Sequence, residues 1–315
     1  MNIVAFAIIK ITIIALLGYY LYKKSLIDEK ILNFLIFFVI NFSVPFLAFS
    51  HIIENLKIAI KPPLVVFILS SIAIFLVSFI LGFIFSFKRN HEFKKEFISV
   101  VSFQNCGYLP LNLALFLFPP RLRDDFIIYT FLYILGFDII MWSVGSFFIF
   151  RKEGERFSHK SLLTPPIIAT LIALILVYTN TAKLVPQIII SPLRMVGDTS
   201  FALSMIILGC WLAKTDIRGF YRNLFLIFEA SLLKLILLPL IFVIIVLKMD
   251  ISSLFGFFII LQASMPSAVS LPIVANLRKA DSEFISQCVL FTHIFSIITV
   301  PVWLGLYLKF SHFSF

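Results

Sequence analysis

The chain reads as an all-α integral membrane protein. Ten transmembrane helices form two inverted five-helix repeats, and helices four and nine are broken and cross near the midplane. Three observations lead there. Of its 315 residues 61% are apolar and 13% charged, with a mean hydropathy of +1.08; that balance excludes an ordinary soluble enzyme. Ten apolar runs reach bilayer length, which needs roughly 17–25 residues each. Two of those runs, half a chain apart, carry prolines that an unbroken helix does not tolerate.

The spans, in order, cover 4–22, 31–50, 64–87, 98–118, 126–150, 165–180, 191–213, 223–247, 254–277 and 285–309. The first lacks a charged start and a small-residue cleavage site, so it reads as a retained helix. The second contains Asn41 and Pro45; the proline frees the Asn41 carbonyl and implies a kink. The sixth is short and opens on Pro165-Pro166, a helix start. Pro239 and Pro301 read as simple kinks in spans eight and ten. Thirty-nine phenylalanines suit a lipid-facing surface, and Cys106, Cys210 and Cys288 all fall within spans, with no metal-ligand spacing or disulfide pattern.

Loop charge sets the orientation. Sixteen Lys and Arg residues fall in the odd-numbered loops and seven in the even-numbered ones and their flanks. The positive-inside rule puts the odd loops in the cytoplasm and both termini outside. The formal net charge of +10 is explained by this topology, so no nucleic-acid partner is expected. The loop Arg151–Lys160 is the hinge between halves of about 1–150 and 160–315 within a single domain over 1–315. Pro110 maps onto Pro266, 156 positions on, and the other spans follow at a similar offset. Five spans per half is odd, so the second half enters the membrane inverted.

The broken spans read Gln104-Asn-Cys-Gly-Tyr-Leu-Pro110-Leu-Asn112 and Gln262-Ala-Ser-Met-Pro266-Ser-Ala-Val-Ser-Leu-Pro272. Their prolines free the carbonyls of Cys106, Gln262 and Ala268. In hydrocarbon such breaks survive only inside protein or beside a water-lined cavity. Paired interruptions in corresponding repeats mark a transporter's binding site.

With Asn41-Phe-Ser-Val-Pro45 in span two and Thr299-Val-Pro301-Val-Trp in span ten, these stretches resemble the auxin efflux carrier family, which includes the plant PIN carriers and bacterial malate and malonate permeases. The resemblance covers essentially the whole chain. It implies the ten-helix fold of bile-acid symporters and some sodium/proton antiporters. Helices one, two, six and seven would be a scaffold, often a dimerisation surface, and the rest a moving core. Two departures stand out. Span seven has Asp198-Thr-Ser-Phe201 where relatives often carry a proline, and Gly107 lies one residue closer to Pro110 than in the commoner pattern.

The candidate substrate site is Gln104, Asn105, Gly107, Pro110, Asn112, Ser264, Pro266 and Ser267. Half-helix N-termini attract anions and carbonyl ends attract cations. The same Asn and Ser residues also read as caps of broken helix ends. Candidates for ion coupling are Asp138, Lys234, Asp198 and His293. An acid mid-span is a functional candidate by default; Asp138 reads as a proton carrier or as the static partner of Lys234. Asp198 reads as facing the substrate path or as capping a helix near Arg194, and His293 as a core hydrogen-bonded residue or a relay.

The reading is a secondary transporter of a small organic anion, auxin-like or malate-like, working by alternating access in the plasma membrane. Membrane lipids, and a second copy through the scaffold, are its expected partners. A sodium- or proton-coupled symporter or antiporter of the bile-acid type, and a non-transporting ligand sensor, are the alternatives. No P-loop, DxxxD or HExxH occurs, so no cofactor, metal or enzymatic activity is expected.

Overall fold

In a computed structural model, the structure describes residues 2–56, 63–87, 89, 91–141, 143, 163–215, 220–272, 275 and 282–311. The hinge loop over 151–160 lies outside them. Eleven helices are present among the described residues: α1 (Asn2–Lys23), α2 (Glu29–Asn55), α3 (Leu64–Ser86), α4 (His91–Ser102), α5 (Tyr108–Leu117), α6 (Pro120–Ile140), α7 (Pro165–Tyr178), α8 (Gln187–Lys214), α9 (Phe220–Val246), α10 (Ser253–Ala263) and α11 (Ser282–Ser311). Six of them, α1, α2, α3, α8, α9 and α11, are long and apolar enough to cross a membrane; α5, α7 and α10 are shorter apolar helices. The molecule is a multi-pass membrane protein.

Three local features follow from the prolines. Span four is two helices, α4 and α5, separated at residues 103–107. Span nine leaves the helix at Ser264. Pro45 and Pro239 do not break their helices. Each is preceded by one π-helical turn, Val39–Ser43 in α2 and Leu233–Leu237 in α9. There the Val44 N–H reaches back five residues to Val39 and the Leu238 N–H to Leu233, which re-registers the ladder around the missing donor. Pro301 sits within α11 without interrupting it.

Helices α1, α2, α7 and α8 pack on one another, chiefly α1 along α8, α2 along α7 and α2 along α8. A second group packs α3 on α4 and α6, α9 on α10 and α11, and α10 on α11. Helix α5 touches both groups, through α1, α6 and α8. The α1–α8 contact is close because both faces carry glycine. A Cβ at Gly18 would lie 2.1 Å from the Ile206 carbonyl oxygen, and one at Gly209 would lie 1.8 Å from that of Ala15. Small residues let membrane helices approach backbone to backbone, and the Cys210 thiol donates to the Gly18 carbonyl at 3.3 Å.

Phenylalanine serves two surfaces rather than one. Phe34, Phe37 and Phe225 are exposed, while Phe67, Phe126, Phe257 and Phe258 are fully buried. These last four, with Tyr129 and Phe255, form an aromatic cluster joining α3, α6 and α10 in which most pairs meet edge to face, an arrangement that aromatic quadrupoles favour. Ion pairs tie separate segments together: Lys214 with Glu29, Arg194 with Glu54, and Arg89 with Glu229.

Candidate functional site

The two broken spans meet backbone to backbone. Gln104 and Ser267 form an antiparallel bridge. The Asn105 N–H donates to the Pro266 carbonyl at 2.8 Å, and the Ala268 N–H to that of Phe103 at 3.0 Å. Each chain thereby supplies partners for backbone groups the other has taken out of a helix, as an environment without water demands. The Cys106 carbonyl, freed by Pro110, accepts from Gln262 Nε2 at 3.1 Å. The Ser267 hydroxyl donates to the Val100 carbonyl at 2.8 Å, and the Ser264 hydroxyl to that of Ile260 at 2.7 Å.

Beside this crossing lies a cavity with about 840 Å³ of atom-free space. The crossing segments contribute Gln104, Asn105, Gly107, Ala268 and Ser270; α5 contributes Tyr108 and Leu111. Asp138 of α6, Thr164 just before α7, and Ile40 and Val44 of α2 complete its polar and apolar walls. Gly107 is the residue before α5 and makes no side-chain cap; Pro110 has no N–H and the Leu111 N–H donates to the Gly107 carbonyl at 3.0 Å, so the N–H groups of Tyr108 and Leu109 are the ones without a partner inside that half-helix, and Gly107 and Tyr108 border this space. The positive end of the α5 dipole points the same way. The Gln104 amide donates to the Tyr133 hydroxyl, while its oxygen is buried without a partner.

Asn105 bonds His293. Its Nδ2 lies 3.2 Å from His293 Nε2, and His293 Nδ1 lies 2.7 Å from the Val289 carbonyl. The carbonyl requires the proton on Nδ1, so Nε2 is the acceptor and the ring is neutral in this arrangement. His293 also lines a second, mostly aliphatic cavity between α1, α5, α8 and α11. The Asn105–His293 contact thus stands between two cavities on either side of the crossing.

The remaining candidates divide. Asp138 faces the cavity and accepts from Thr164 Oγ1 at 3.2 Å. Thr164 precedes Pro165-Pro166. Those two residues offer no N–H, and Thr164 makes no side-chain cap; its hydroxyl donates to Asp138 instead. Of the two readings of Asp138, the ion pair with Lys234 is not formed: Lys234 is fully buried and donates to the Val101 carbonyl at 2.8 Å. Asn112 joins α5 to α8 through Ser204 at 3.1 Å and does not line the crossing cavity. Nor do Pro110, Ser264, Pro266 and Ser267, which are buried in the crossing itself. Asp198 is exposed and eleven residues inside α8, so it caps no helix start. Asn41 donates to the Phe37 carbonyl across the π turn. Thr164, Tyr108 and Tyr133 join the site without having stood out in the sequence.

The family model described as membrane transport protein matches residues 3–160 and 155–304. The chain belongs to that family. It is the family of the auxin efflux carriers and PIN-like proteins, as the motifs around Pro110 and Pro266 indicate. Among curated proteins, an uncharacterized transporter of Methanocaldococcus jannaschii is 24% identical over 93% of this chain and 95% of its own length. Another, from Methanothermobacter thermautotrophicus, is also 24% identical, over 94% and 96%. Protein PIN-LIKES 2 of Arabidopsis thaliana is 28% identical over 50% of this chain and 38% of its own. Membership in this family points to transport rather than catalysis.

Proposed function

We propose that the chain carries a small organic anion across the cell membrane by alternating access, with the carboxylate seated in the crossing cavity at the N-terminus of α5. The observation that carries this reading is the opening of that half-helix onto a cavity also lined by Asn105, the buried Gln104 and Asp138. Unpaired N–H groups and the helix dipole favour an anion there. Asn105 orients it through a hydrogen bond, and the aliphatic walls accept its carbon skeleton, whether that of a dicarboxylate or of an aromatic acid.

Asp138 makes the binding proton-linked. Two carboxylates in one cavity repel unless they share a proton. An anion therefore enters together with a proton on Asp138, and the Thr164 hydroxyl turns to serve either state.

The ten helices are read as two inverted repeats over about 1–150 and 160–315. Two hydrogen bonds join residues 156 positions apart, Ser43 to Thr199 and Gln262 to Cys106, as residues on a pseudo-two-fold axis do. The α1–α8 and α2–α7 contacts are also mates under that offset. The group α1, α2, α7 and α8 is the scaffold and, in this reading, the surface for a second copy; the other group moves against it. Both termini lie outside the cell.

The test is thermal unfolding of the purified protein against a panel of organic acids at two pH values. A carboxylate that raises the unfolding temperature, more strongly at the lower pH, supports the reading. Stabilisation only by uncharged analogues overturns it.

A further inference from the structure

The C-terminal end of α4 abuts the crossing. A half-helix ending there presents four carbonyls and the negative end of its dipole, the kind of place where transporters hold a diffusible cation. Here each of those carbonyls already has a protein group against it. Ser99 accepts from the Phe103 N–H at 3.0 Å. Val100 accepts from the Ser267 hydroxyl at 2.8 Å, and Val101 from Lys234 Nζ at 2.8 Å. The Ser102 carbonyl has the Ser78 hydroxyl 3.3 Å away. Next along the chain, the Phe103 carbonyl takes the Ala268 N–H.

Lys234 differs from the other groups at this helix end. It comes from α9, more than a hundred residues away, and its whole side chain is buried at 0% exposure. It has no carboxylate partner among the described residues; its only hydrogen bond there is to Val101. Its backbone lies in the π turn Leu233–Leu237. From there its Nζ reaches the carbonyl end of α4. An ammonium in such a place is satisfied by a carbonyl and by a helix C-terminus rather than by a counter-ion.

We propose that Lys234 is a tethered cation that permanently fills the cation position at the α4 terminus, so that the crossing needs no sodium or other diffusible metal ion to form or to bind its ligand. The inference rests on the reading of the crossing as the transport site and specifies its ion requirement. It assigns Lys234 a positioning role, since the residue touches Val101 and does not line the anion cavity.

The test uses thermal unfolding of the full-length protein without organic anion, so its outcome is independent of whether an organic acid is the cargo. Wild-type protein should show the same unfolding temperature in sodium, potassium and choline chloride at equal ionic strength. Lys234→Ala leaves a space shaped for three methylenes and an ammonium, and should be stabilised by propylammonium chloride at millimolar concentrations, with no such shift in wild type. Lys234→Met fills the same space without a charge or donor and should respond to neither. Wild-type stability that rises specifically with sodium overturns the proposal. So does a folded Lys234→Ala protein indifferent to propylammonium. If that variant fails to fold, the wild-type cation series and growth of Lys234→Ala cells with propylammonium, read as recovery of folded protein by size-exclusion fluorescence, decide the matter; no recovery counts against it.

Discussion

Replacing Asn105 by alanine separates a binding role from a structural one. The wild-type amide donates to His293 Nε2 at 3.2 Å and lines the crossing cavity, the proposed anion seat. The alanine leaves Nε2 of a ring that is 5% exposed without a donor, a folding cost of about 1–3 kcal/mol. If Asn105 orients the carboxylate as proposed, the change also removes a hydrogen bond to a charged ligand, worth about 1.5–3 kcal/mol, which is about a 10- to 150-fold loss of affinity. The two effects are separable because His293 does not line the anion cavity. In Asn105→Ala with His293→Leu, no orphaned nitrogen remains, so stability should return toward that of His293→Leu alone while affinity stays low. Urea unfolding in detergent and equilibrium binding of the acid found to stabilise the protein measure the two quantities on the same samples. A well-folded double variant that binds within twofold of wild type would refute the reasoning and leave Asn105 as a partner of His293 only.

Asp138→Asn should keep anion binding and lose uptake driven by a pH gradient, since the amide still meets the Thr164 hydroxyl but carries no proton across; pH-driven flux equal to wild type counts against the coupling. Gly209→Ala places a methyl 1.8 Å from the Ala15 carbonyl oxygen and should force α1 from α8, destabilising the protein by at least about 1–3 kcal/mol, read as a lower unfolding temperature; an unchanged temperature contradicts the close packing. An introduced cysteine in the 151–160 loop should react with an impermeant reagent only from the cytoplasmic side, with little background because Cys106, Cys210 and Cys288 are buried; labelling from outside reverses the proposed topology.

The apolar helices and the interruptions at the two proline-bearing segments were legible because both have direct chemical causes. Apolar length marks the helices, and Pro110 and Pro266 mark where the ladder cannot continue. The neighbourhood of Asn105 followed from the same logic, since a polar residue beside a broken helix has either a backbone group or a ligand to meet. The partner of Asp138 was not legible. On a soluble helix the polar face gives the rotational phase, but in a membrane the outward face is apolar too. Nothing in Leu135-Gly-Phe-Asp138 therefore says whether its carboxyl turns to Lys234 or to Thr164. The π turns before Pro45 and Pro239 were hidden for a related reason. A proline announces a missing donor but not whether the helix answers with a kink or with an inserted residue. Ser264 and Ser267 went the other way. Their hydroxyls satisfy carbonyls of Ile260 and Val100, which is the capping work the sequence offered as the second reading.

The central claim, that an organic anion crosses the membrane through the crossing cavity, is tested most directly by uptake into proteoliposomes. Purified protein is reconstituted, an inward proton gradient is imposed, and entry of a labelled dicarboxylate and a labelled aromatic carboxylate is followed beside Asn105→Ala and protein-free vesicles. The account predicts saturable uptake of at least one of the two acids by wild type, unaffected by exchanging sodium for choline and reduced at least tenfold in Asn105→Ala at low substrate. Folded wild-type protein that moves neither acid above the vesicle background, or an Asn105→Ala protein that moves them as fast as wild type, contradicts it.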